Sequence, residues 1–390
     1  MTRYLAKLLA AILISTLSPW ASMAQSDIII DEKLLRESDY LDIAYINGKF
    51  AYLVYQTPES LYSSINPALN ASPIIATIAT RPSTATKTAV WLWEYNKVIG
   101  HEDTTLEKLT KSGISKIYLQ IDRDNLESLR PFVSKAISKK IEVFALDGKP
   151  ADIDDFSDLI QDVEAIEKFN SVDKNVIFTG FQADVEPYIK PDFNLNPKYY
   201  AYRYITLINK LKMSMGDKLK LSVAIPFWYD TVIIDGVPFS NRVIDNVDEV
   251  AIMSYRTQYS EILASAANEL EYAKTANKPV YLGIETTHID DEKHFVIEAN
   301  TAAHYLEHTI SGKTVLSVEP EKGLPVYKIY YVKADMITFE KRKSDVAKIL
   351  KQQPDISSFA GYAIHSYESY IRDSLFPVPN HKDYGIIIDL

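Results

Sequence analysis

From residue 88 onward, short apolar runs rich in β-branched and aromatic residues alternate with longer segments whose apolar side chains recur every three or four positions. The first pattern predicts strands and the second amphipathic helices. Eight runs qualify as strands: residues 89–95, 116–121, 142–146, 176–185, 220–225, 249–254, 280–284 and 359–365. Between them, segments such as 104–112 and 125–139 have helical spacing and carry lysines near their ends, where a cation favours the helix dipole. Several strand runs are apolar throughout, as in a parallel sheet covered on both faces. Repeated strand–helix units with no glycine-rich phosphate loop after the first strand predict a closed (β/α)8 TIM barrel rather than an open sheet.

Two stretches stand outside this rhythm. Residues 25–87 form an N-terminal extension, with a strand-like run at 49–55 and then a Pro/Thr/Ser/Ala-rich stretch at 73–88 that reads as a tether. An insertion spans 288–335, after strand seven, and its residues 326–332 read as part of a hairpin. At the C-terminal face of a barrel such an insertion is a candidate lid or subsite wall, and equally mere decoration. Ahead of both, Arg3 and Lys7 precede an apolar run at 8–17, followed by Pro19, Ser22 and Ala24. This pattern predicts an export signal over 1–24, cut after Ala24, since the run falls short of the ~20 residues a spanning helix needs. The division expected is therefore 1–24, 25–87 and a barrel domain over 88–390, in a periplasmic or secreted protein with no stable membrane anchor after cleavage.

Composition narrows the partners. The chain has no cysteine, which excludes disulfides, a lipid-attachment thiol and a cysteine–zinc site. A formal charge of −10 without basic clusters argues against nucleic acid and anionic lipid. No cofactor is implied.

Chemistry concentrates in the fourth strand run, Thr179-Gly180-Phe181-Gln182-Ala183-Asp184-Val185-Glu186-Pro187-Tyr188. Alternation along a strand puts Gln182, Asp184 and Glu186 on one row facing the barrel axis, and Pro187 removes the next backbone donor and helps end the strand. Two carboxyls so close in a shielded cavity cannot both ionise easily, so one should hold its proton near neutral pH. Glycoside hydrolysis uses that arrangement, one group to protonate the leaving oxygen and one to stabilise the cationic sugar, with activity falling on both sides of mildly acidic pH. The bland alternative, a surface ion network, fits poorly with acids on an inward row, where unpaired charge is costly.

The run from Gly180 to Glu186 resembles the strand-four signature of glycoside hydrolase family eighteen, the chitinase-like TIM barrels, in which three acids alternate. Asp184 and Glu186 match the last two acids, while Gln182 stands at the first. The resemblance implies that Glu186 is the general acid and that Asp184 orients a substrate N-acetyl group acting as nucleophile. Ala251-Ile252-Met253-Ser254-Tyr255-Arg256 resembles the family's strand-six segment, which implies that Tyr255 hydrogen-bonds the N-acetyl carbonyl; Arg256 stands where the family has an aspartate. The whole set, with the final strand Phe359 to Glu368, is also similar to a poorly characterised group of bacterial glycosidase-like barrels.

A rival template is the superfamily of retaining glycosidases with glutamates on strands four and seven. Glu285, at the end of Val280-Tyr281-Leu282-Gly283-Ile284-Glu285, would then be the nucleophile, or more mildly a hydrogen-bonding helper. Flat faces for sugar stacking are expected from Trp93, Trp228 and Tyr367, with Trp91 more suited to core packing. His365 reads as a substrate-binding or merely structural group at the end of strand eight. Asp122 and Asp147 share the rim with Asp184, but no histidine–carboxylate spacing of a recognised metal site occurs, so no metal is expected. The leading expectation is an exported glycoside hydrolase acting on a polysaccharide or glycan. A sugar-binding barrel without catalysis, suggested by Gln182 and Arg256, and a metal-dependent phosphodiester hydrolase are the alternatives.

Overall fold

Eight parallel strands close into a barrel in which each pairs with its neighbours in sequence, the last returning to the first. They are β1 Lys87–Leu92, β2 Lys116–Gln120, β3 Glu142–Asp147, β4 Gly180–Ala183, β5 Lys220–Pro226, β6 Glu249–Met253, β7 Val280–Glu285 and β8 Phe359–His365. The computed structural model describes residues 87–190, 193, 197–298, 305–310, 313–318 and 326–372, with three strands upstream, Ile28–Asp31, Tyr40–Ile46 and Lys49–Gln56. The expected export signal over 1–24 and most of the tether at 73–88 lie outside the described residues.

Helices α1 Glu102–Lys111, α2 Arg130–Ser138, α3 Ser157–Val172, α4 Pro197–Met215, α5 Phe239–Asn246, α6 Tyr259–Ser265, α7 Ala267–Ala276 and α8 Lys343–Ile349 follow the strands in turn. Alternation along each strand sorts side chains into two cores. Val90, Leu92, Ile117, Leu119, Val143, Leu221, Val223, Val250, Ile252, Leu282 and Ile364 face the helices, while Ala89, Trp91, Tyr118, Phe144, Ala224, Ala251, Tyr281 and Ala363 fill the barrel. Bulky rings on β1, β2, β3 and β7 meet small residues on β5, β6 and β8, so large and small side chains complement one another across the interior.

Two expected strands end or begin several residues inside their apolar runs. The first ends at Leu92, so Tyr95, at the end of the expected run 89–95, lies beyond the strand and its hydroxyl donates to Asp122 Oδ2 at 2.7 Å. The fourth pairs only over Gly180–Ala183. Val176 and Phe178 are buried as their apolarity demands, but the backbone N–H and C=O of Phe178 bond to the side chain of Asn170, both at 2.8 Å, instead of to a neighbouring strand.

Outside the barrel, the strand-like run of the extension is a strand, and it belongs to a sheet it shares with the insertion. That sheet runs Val326–Val332, Glu292–Glu298, Tyr40–Ile46, Lys49–Gln56, all antiparallel. A second sheet pairs Ile28–Asp31 with Lys313–Val318, which also pairs with Tyr305–Ile310.

The bottom of the barrel is sealed by charge. Lys116, fully buried on the inward row of β2, donates to both carboxylate oxygens of Glu249 at 2.6 Å and lies 3.7 Å from Glu142, with its ammonium 3.6 Å from the centre of the Phe144 ring. Tyr118 adds a hydrogen bond to Glu249 at 2.9 Å. Burial pushes the Lys116 ammonium below its ordinary value against the pull of Glu249 and Glu142. Such a pair stabilises little over an apolar isostere, yet removing one member strands a charge. Glu249→Leu should therefore lower unfolding free energy by on the order of 3 kcal/mol in urea titration, and adding Lys116→Met should recover most of the loss. A single variant as stable as the parent would contradict this account of the floor.

Candidate active site

The C-terminal ends of the strands gather the expected groups. The row on β4 begins with Gln182, whose amide is used up inside the barrel: its Oε1 accepts from Trp91 Nε1 at 2.6 Å and its Nε2 donates to Ser222 Oγ at 3.0 Å. Gln182 and Ser222 are wholly buried, so Gln182 forms the layer beneath the mouth and holds Trp91 in place. Beyond the end of β4, Asp184 and Glu186 are 9% and 5% exposed. The Asp184 backbone is pinned from both sides, for its N–H donates to Asp147 O at 3.0 Å, and Gly148 lies so close that a Cβ there would sit 2.4 Å from the Asp184 carbonyl oxygen. Only glycine fits at 148, where φ is +148°.

Glu186 precedes a turn opened by Pro187, and Tyr188 within that turn donates its hydroxyl to Glu186 Oε1. Burial raises the Asp184 carboxyl to about 6, against an opposing pull from His365. Burial, then the charge of Asp184, raises Glu186 to about 8, with Tyr188 and His365 acting the other way. Tyr255 is buried beside them, and its phenol is held well above the ordinary range by burial and by the charges of Glu285, Asp184 and Glu186, so it is a neutral donor. Its ring packs on Gly283, where a Cβ would come within 2.9 Å of Cε1.

Glu285 and His365 are register partners on adjacent strands β7 and β8. Glu285 is fully buried, and its Oε1 accepts from Thr286 N at 2.8 Å, Thr287 N at 2.6 Å and Thr287 Oγ1 at 2.6 Å. His365 Nδ1 lies 2.9 Å from Glu285 Oε2 and 3.2 Å from Oε1. The imidazole keeps 20% of its side-chain surface exposed, between the rings of Trp91, Trp93 and Tyr255 at centroid distances of 6.0, 6.2 and 6.2 Å.

The remaining expected contacts divide. Trp93 is partly exposed beside His365, its backbone N–H donating to Glu368 Oε1 at 2.9 Å. Trp228 and Tyr367 are each 6% exposed in the outer core, with Trp228 packed against Tyr188, Phe193 and Tyr229, so neither presents a broad free face for stacking. The Arg256 guanidinium lies over the Phe227 ring at 4.8 Å and donates to the Tyr255 carbonyl at 2.6 Å. Asp122 is engaged by Tyr95, Asn125 and the Asp124 N–H, and Asp147 caps the Gly148 N–H. Tyr188, Gly148 and Glu368 carried no sequence expectation. A tyrosine two residues beyond an acid was the signal available for Tyr188, and Gly148 directly after an acidic strand end was the signal for the pinning contact.

No protein-family profile matches the chain, and no curated protein is similar to it by sequence. Among solved structures it is similar to a class V chitinase from Pseudomonas fluorescens Pf-5, at 14% identity over 75% of this chain and 100% of that one, with a TM-score of 0.37. A chitinase from Bacteroides thetaiotaomicron is 12% identical over 73% of this chain and 90% of that one, with a TM-score of 0.38. A glycoside hydrolase family eighteen chitinase from Cycas revoluta, in complex with allosamidin, is 12% identical over 74% and 97%, with a TM-score of 0.42. Likenesses this distant leave the chemistry to the side chains present.

Both acids bind protons more tightly in the folded chain than in an unfolded one, where carboxyls titrate near ~4. Between that value and about 8 the folded state therefore holds the extra protons, and its stability falls as pH rises. Asp184→Asn and Glu186→Gln should each raise thermal stability at pH 7, by about 2 kcal/mol, with the gain vanishing toward pH 4. Calorimetry across that range checks the sign, and a loss of stability at pH 7 in both variants would refute it.

Proposed function

We propose that the chain is a glycoside hydrolase acting on a polysaccharide or glycan, with Glu186 as proton donor. The observation that carries this reading is the buried pair Asp184 and Glu186 at the barrel mouth, in which Glu186 keeps its proton to about 8 while Asp184 releases its own at about 6. An acid that is still protonated beside an anion at neutral pH matches the needs of glycosidic cleavage. Glu186 gives its proton to the leaving oxygen as the bond from that oxygen to the anomeric carbon breaks, and Asp184 stabilises the cation that develops. Water then completes the hydrolysis and returns a proton to Glu186. Tyr255 donates its hydroxyl to a polar substituent of the bound sugar, and Trp93 supplies an apolar face.

The two acids stand two residues apart on one strand end, so they approach the sugar from one side. A nucleophile on the opposite face must come from elsewhere. Glu285 is ill suited, since it is fully buried and its oxygens are taken by Thr286, Thr287 and His365. That argues against the two-glutamate retaining scheme and leaves an acetamido group of the substrate itself, or water, as the attacking group. Residues 1–24 are read as an export signal and 88–390 as the barrel domain, placing the enzyme in the periplasm or outside the cell; N-terminal sequencing of the mature protein checks the cut after Ala24.

Release of reducing ends from N-acetylated and plain glucans tests the proposal. Glu186→Gln should lose about 10²–10⁴-fold in kcat while still binding glycan. A wild-type protein that binds glycan with no turnover would instead mark a sugar-binding barrel. The kcat/KM profile should be bell-shaped, with limbs near 6 and 8, somewhat above the mildly acidic range expected from the motif, because burial raises both groups.

A further inference from the structure

The mouth holds a charged pair that the reaction scheme does not use. His365 and Glu285 are register partners at the ends of β8 and β7, and the imidazole Nδ1 is within hydrogen-bond distance of both Glu285 oxygens, at 2.9 and 3.2 Å. Glu285 is immobilised in turn by two backbone N–H groups and the Thr287 hydroxyl. A carboxylate gripping Nδ1–H fixes the ring orientation and turns Nε2 away from Glu285. Rings of Trp91, Trp93 and Tyr255 surround the imidazole, so it has little freedom to swing out. Asp184 Oδ1 is buried and takes no hydrogen bond among the described residues, so its anion lacks local donors there.

We infer that His365, gripped by Glu285, is a positioning residue: it sets a fixed positive charge beside Asp184, so that the negative charge of the acid pair stays on Asp184 and the proton stays on Glu186. This rests on the assignment of those two acids as the working pair. Charges across the mouth then alternate: Glu285 negative, His365 positive, Asp184 negative, Glu186 neutral. The groups facing the imidazole agree with it. Burial alone would push His365 down, but Glu285, then Asp184 and Glu368, raise it above its ordinary value. Glu186 and the neutral phenol of Tyr255 complete its surroundings. Among the described residues, His365 is the charge that acts to lower Asp184. A histidine serving only to pack would need no buried carboxylate on its far side.

Carbon-13 titration of the Asp and Glu side-chain carboxyls, read by NMR in the full chain, tests this without relying on turnover. In His365→Gln the Asp184 transition should move up by about one pH unit and the Glu186 transition by less, and the limbs of the kcat/KM profile should follow in the same order. In Glu285→Gln the imidazole should titrate at least about one unit lower than in the parent. In the unaltered protein, nitrogen-15 spectra should show a doubly protonated ring through the range where Asp184 ionises. Unmoved carboxyl transitions in folded His365→Gln, or a neutral wild-type ring in that range, would overturn the inference. If the variants do not fold, the wild-type ring spectrum alone decides. Absence of glycan turnover would remove the hydrolase reading and leave these titrations standing.

Discussion

Two carboxyl groups taken out of water side by side set the terms for everything around them. Neither can hold its charge cheaply, and both cannot hold it together, so the surroundings must choose which one ionises. The chain makes that choice with groups drawn from separate strands. Asp184 is fastened by the backbone of Asp147 and by the absence of a side chain at Gly148, Glu186 is met by Tyr188, and at the end of β8 His365 is held by Glu285. Each strand end contributes one decision, which is why parallel barrels carry their chemistry at that face.

Beneath the mouth, the interior is layered by polarity. Charge sits at the floor in Lys116, Glu142 and Glu249, rings and small residues occupy the middle, and the Trp91–Gln182–Ser222 hydrogen bonds separate the middle from the acids. Lys116 is balanced by Glu249 and Glu142 at the floor, with Tyr118 reaching down to Glu249, so the acids above do not have to be balanced by the floor.

Strand order and the inward placement of Gln182 could be read in the sequence because both follow from short-range periodicity, which the closed sheet preserves, whereas Asp184 and Glu186 lie past the last paired residue, Ala183. The end of a strand is less legible. Val176 and Phe178 look like strand residues and are buried like them, yet the Asn170 side chain satisfies the Phe178 backbone in place of a ladder. Side chains past the strand ends obey no period at all, so Trp228 and Arg256 are settled by packing on Tyr188 and Phe227. The partnership of Glu285 with His365 depends on the register of two strands far apart in the chain, and a bulge near Val280 shifts that register. No local pattern reports it.

The shared sheet has a consequence for how the chain assembles. Tyr45 pairs in register with Lys293, so the hairpin of Tyr40–Ile46 and Lys49–Gln56 leaves the ribosome long before Glu292–Glu298, the other partner of Tyr40–Ile46, exists. In that interval Tyr40–Ile46 has an unfilled edge able to pair with any other extended chain, which is a known route to misassembly. The barrel must therefore be nearly complete before its own leading segment can dock. A nascent chain held extended until release would pass through that vulnerable period more safely than one folding as it emerges.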